Sequence, residues 1–179
     1  MLVIVTLLIY NFTVRYYTLE RGVCMCEYLG SVYETVFDKK FVYGAGIDTR
    51  MQMQKMVYLL ERMGMSVGNY NFVWYKHGPY SQGLQDDACK IRANRQVKVN
   101  FTERAEVILG QMKEIVEMYS DSSYDIPRWL EAVASLDFII SRRLYNDRDA
   151  LNTLKEVKPH LNDDASNELA LSVCKRMCA

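Results

Sequence analysis

At 179 residues the chain is long enough for one compact domain with a real core and too short to expect two. Half of it is hydrophobic and a quarter charged, and 22 Lys+Arg balance 22 Asp+Glu. That neutrality argues against the basic surplus of proteins that live on nucleic acid or anionic membranes, leaving room only for a local patch.

The chain opens on MLVIVTLLIYNF, an apolar run shorter than the roughly 20 residues a membrane-spanning helix needs. It lacks the basic flank and small-residue cleavage site of a secretory signal. Two readings remain: an edge strand packed on the domain, or residues outside the natural protein. The second is favoured because Glu20, Arg21 and Gly22 can be encoded by a purine-rich run resembling a bacterial ribosome-binding site, just ahead of Met25. Residues 1–24 are therefore expected to be an N-terminal extension and residues 25–179 a single domain.

In residues 27–37, Tyr28, Leu29, Val32, Tyr33, Val36 and Phe37 recur at helical spacing. Thr49 followed by Gln52 reads as a capping box opening a second helix, which Gly64 ends. Its methionines read mainly as core, with Met51 and Met65 expected at the surface. Residues 70–75 are aromatic and β-branched, as in a strand. Gly78 and Pro79 then form a turn, and Ser81 caps a short helix through Leu84, Ala88 and Ile91. Residues 96–100 alternate like a strand.

Thr102 starts a further helix with an apolar stripe from Ala105 to Tyr119. Pro127 suits a first helical turn, where its missing N–H costs nothing. Residues 129–140 are apolar on nearly every face and predict a central buried helix. Two more helices, residues 147–157 and 163–177, flank Lys158, Pro159 and His160. The predicted fold is mainly α (α+β): a helical domain with a small winged-helix-like β element.

Catalytic signals are thin. His77, Ser81 and Asp86 or Asp87 lack a nucleophile elbow, and no phosphate-loop, dinucleotide or zinc-protease motif occurs. The five cysteines, at 24, 26, 89, 174 and 178, include no C-x-x-C pair. Neither His77 nor His160 has a cysteine nearby, so a zinc site is not expected. The expectation is reduced thiols in a cytoplasmic protein that is not an enzyme and uses no metal or cofactor.

Two binding surfaces stand out. Lys90, Arg92, Arg95 and Lys98 form a locally basic edge with no acidic residue between Asp87 and Glu103, a candidate nucleic-acid contact. Trp74, Tyr75, His77 and Tyr80 crowd around Gly78, Pro79 and Ser81. The last three are explained by turn and cap geometry, but the aromatic cluster is not. Large amphipathic side chains beside a turn favour protein recognition.

RMQMQKMVYLLERMG followed by YNFVWYKHGPYSQGLQDD resembles the YwgA-like family, with its LQKxVYLL helix, strand and GPYSxxL turn. WLEAVASLDFI and EVKPHLNDDASNELA look like that family's C-terminal half, so the resemblance covers residues 25–179. That family is similar in turn to the Panacea, or SocA-like, antitoxin domain, although Tyr80 and Ser81 depart from the Panacea pattern. The resemblance implies a binding module near toxins, phage genes or defence genes, and transfers no catalytic residue. The expected function is an antitoxin-like neutraliser or regulator that binds another protein. The alternative is a DNA-binding winged-helix regulator using the basic edge. A homodimer is compatible with either, and no membrane association is expected.

Overall fold

A computed structural model describes residues 17–18, 25–92, 99–142 and 146–177. Among these, seven α-helices follow one another: α1 (Met25–Phe37), α2 (Ile47–Arg62), α3 (Gln82–Ala88), α4 (Glu103–Glu117), α5 (Ile126–Arg142), α6 (Asp147–Val157) and α7 (Asp164–Met177). The β structure is two separate antiparallel pairs. Strand β2 (Val73–Tyr75) pairs with β3 (Gly78–Tyr80), and β1 (Tyr17–Thr18) pairs with β4 (Asn100–Phe101). The expected mainly α class with a small β element holds. No helix among the described residues is long and apolar enough to cross a membrane.

Helix α5 is the axis of the domain. It is buried continuously from Trp129 to Asp137 and packs against α2, α6 and α7, while α1 packs on α4. Each fully buried large apolar side chain contributes about 1.5–3 kcal/mol, which is why the all-round apolar pattern selects this central position. Trp129 donates its indole N–H to the Ile115 carbonyl at 2.7 Å, so its one polar atom is satisfied inside the core.

Helix ends follow their local chemistry. The Ser81 and Thr102 hydroxyls accept from Leu84 N and Ala105 N, starting α3 and α4 as expected. Pro127 sits in the first turn of α5. After α2, Gly64 takes φ +89° and donates to the Glu61 carbonyl, while Met65 N reaches back to Leu60 O. This paired closure folds the next residue onto the helix, so Met65 is fully buried rather than exposed as expected. Met51 is half-buried.

Three further expectations are corrected. Thr49 lies inside α2, which begins at Ile47 behind Gly46 with no side-chain cap; the φ of +124° at Gly46 brings the chain into the helix earlier. Gly78 and Pro79 are not the turn but part of β3, and the turn is formed by Lys76 and His77. Gly78 supplies the positive φ of +83° at the turn exit, and Pro79 lies opposite Trp74 in a two-stranded ladder that tolerates its missing donor. Finally, Cys26 is disulfide-bonded rather than reduced, whereas Cys89 and Cys174 keep their thiols. Such pairing depends on spatial proximity that sequence spacing does not reveal. Of the predicted strand over residues 96–100, Asn100 belongs to β4, and residues 96–98 lie outside the described residues.

Candidate functional site

Helix α2 presents two polar side chains to the backbone of β3 and the cap that follows it. Gln54 accepts from Ser81 N and donates to Ser81 O, both at 2.9 Å. Lys55, 2% exposed, donates its ammonium to the Pro79 carbonyl at 2.7 Å. The hairpin is thus held from below by the MQKM segment of the helix.

Helix α5 contributes Glu131 and Ser135, one turn apart and both buried. Ser135 lies directly under Gly78. Glu131 faces three cationic or ionisable groups. Its Oε1 lies 3.2 Å from Lys158 Nζ and 3.1 Å from His160 Nε2, and its Oε2 lies 3.4 Å from His77 Nδ1. Lys158, buried on the connection after α6, also donates to the carbonyls of Tyr75 and Lys76 and stands 5.0 Å over the Trp74 ring.

Two buried lysines share one buried carboxylate, so positive charge is in excess. Burial, reinforced by Lys158 and offset in part by Glu131, lowers the Lys55 pKa to about 7. Burial also lowers the Lys158 pKa, against the pull of Glu131. For Glu131 burial acts upward, but Lys158 and His160 outweigh it and hold the carboxylate below its usual range.

The hairpin's two faces differ. Tyr75 and Tyr80 lie side by side with ring centres 5.1 Å apart. Together with Ile47, Arg50, Met51 and Lys55 they line a pocket of about 160 Å³, and His77 stands on its wall. Ile47 and Tyr75 are more than half exposed, at 53% and 60%. Trp74 projects the other way, onto Phe138 at 5.8 Å and under Lys158. Of the four aromatic and histidine residues singled out in the sequence, Tyr75, His77 and Tyr80 converge on the pocket. Trp74, 37% exposed, is partly committed to packing.

The basic edge is less coherent. Lys90 is paired with Asp87 at 2.9 Å, which is the helix-end complement that its position allows. Arg92 is exposed, and Arg95 and Lys98 lie outside the described residues. Sequence reading missed Lys55, Glu131, Ser135, Lys158 and His160 as members of one site. For Lys55, Glu131 and Ser135 the signal was a polar residue inside an otherwise apolar helix, since a buried charge must find a partner; Lys158 and His160, on the connection after α6, carried no such signal.

No family model matches the chain, and neither a curated protein nor a solved structure does.

Proposed function

We propose that this chain is a non-enzymatic, cytoplasmic protein-binding module, an antitoxin-like neutraliser or regulator in a phage, toxin–antitoxin or defence setting. The observation that carries the binding reading is the Tyr75–Tyr80 pair at the rim of a pocket, with Ile47 exposed beside it. Rigid aromatic side chains already packed on one another lose little entropy on binding and are the commonest interface anchors. No acidic residue is among those lining the pocket, whereas Arg50 and Lys55 both are. The partner chemistry that fits is an apolar side chain with a carboxylate close by. The resemblance to YwgA-like proteins supplies the biological setting and nothing about the pocket.

The test is affinity capture of the protein from its host with nuclease treatment, at low and moderate salt, read by mass spectrometry. A stoichiometric protein that survives both treatments and is lost on Tyr75→Ala or Tyr80→Ala supports the reading. Capture of DNA instead, steeply weakened by salt and by Arg92→Ala, would overturn it in favour of a regulator that uses the basic edge.

A further inference from the structure

Beyond partner binding, and independent of it, we propose that His77, Glu131 and His160 form a binding site for a divalent transition-metal ion of the zinc class. The three residues come from separate elements: the β2–β3 turn, the middle of α5, and the connection between α6 and α7. One ligand atom from each lies within 4.8 Å of the other two. Two of the separations, 3.4 Å from His77 Nδ1 to Glu131 Oε2 and 3.1 Å from His160 Nε2 to Glu131 Oε1, bracket the spacing of neighbouring donors around zinc. Bonds of about 2.0–2.2 Å in a tetrahedron put such donors about 3.3 Å apart.

A second observation points the same way. Glu131 is 1% exposed, yet its Oε1 has no aligned hydrogen bond, and buried His77 Nδ1 has none either. Buried polar atoms are almost always hydrogen-bonded, so two that are not, on an imidazole and a carboxylate that already face each other at 3.4 Å, mark a place for a shared cation. The donor set is two imidazoles and one carboxylate, which suits zinc and related ions and disfavours calcium or magnesium. His160 is 43% exposed, so the gap opens to solvent on one side and leaves a coordination position for water or an incoming group.

Lys158 is the site's competitor and also its support. Its ammonium lies 3.2 Å from Oε1 as an ion pair, while its hydrogen bonds go to the Tyr75 and Lys76 carbonyls and hold it beside the carboxylate. The bound ion would tie the hairpin to α5 and to the α6–α7 connection.

The experiment is zinc titration of the chelator-treated full chain by calorimetry, with melting curves and cobalt(II) absorption alongside. The expected result is one zinc per chain, a rise in melting temperature, and cobalt d–d bands without thiolate charge transfer. His77→Ala and His160→Ala should each weaken zinc by about tenfold or more, and together abolish the rise. Absence of stoichiometric zinc, zinc retained in the double variant, or a thiolate band would each overturn the proposal.

Discussion

Ser135 leaves no room for a side chain at Gly78: a Cβ built there would stand 2.4 Å from Ser135 Oγ. Gly78 also holds φ at +83°, which an L side chain adopts only under strain. Gly78→Ala is therefore expected to cost about 2–4 kcal/mol, combining left-handed strain with overpacking. Ser135→Ala alone should change stability by less than about 0.5 kcal/mol, since its hydroxyl makes no hydrogen bond. In the double variant the clash disappears and only the strain remains, about 1–2 kcal/mol. Urea unfolding of the four proteins reads the coupling directly. Strict additivity would mean that the hairpin relaxes away from α5 instead.

Asp137 offers a second cycle. Its Oδ2 accepts from Tyr58 Oη at 2.5 Å and from Arg62 Nε at 2.7 Å, latching α2 onto α5. Burial, reinforced by Asp137, raises the Tyr58 pKa well above its usual range, so the hydroxyl stays a donor. Tyr58→Phe should cost about 1–2 kcal/mol with the ring packing on Phe72 retained. Arg62→Met should cost more, because it removes the charge paired with a carboxylate that is 2% exposed. Chemical denaturation of both variants checks the order, and equal losses would contradict it.

What the sequence made legible follows from the range of the interactions. Ser81, Thr102, Pro127 and Gly64 act within one helical turn, and each takes the place expected of it. The buried run of α5 was equally readable, because its neighbours on all sides are apolar. Misreadings arose where a neighbouring glycine moved the boundary, as Gly46 does for α2 and Gly78 for the hairpin. The site itself was half legible. Tyr75, His77 and Tyr80 are close in the chain, whereas Glu131, Lys158 and His160 reach His77 only through the packing of α5 and of the connection after α6. No local pattern encodes that meeting.

Binding and stability should separate on the two faces of the hairpin. Tyr75 is 60% exposed, so Tyr75→Ala is expected to shift stability by less than about 0.5 kcal/mol. The same change should weaken partner affinity by at least about 2 kcal/mol, roughly thirtyfold, if the aromatic pair is the anchor. Trp74→Ala should do the reverse, destabilising the fold through lost contact with Phe138 and Lys158. Parallel unfolding and affinity measurements on the two variants decide it. A Tyr75 variant that binds as tightly as the wild type would remove the pocket from the interface.

Glu61 makes the fold sensitive to pH near neutrality. Burial raises its pKa from 4.5 to about 7, and its Oε1 has no hydrogen-bond partner. The folded state keeps the proton up to about pH 7, whereas the unfolded chain releases it near 4.5. Between those values the folded state binds more protons, so this residue's contribution to stability falls as pH rises through the window. Glu61→Gln preserves the neutral shape and removes the penalty for burying the ionised form. The side chain is only partly buried, so solvent screening reduces the gain to about 1 kcal/mol above neutral pH. Urea midpoints at about pH 4 and about pH 8 should coincide with wild type at the lower value and exceed it at the higher. A gain of equal size at both would show that packing, rather than the buried charge, separates the two side chains.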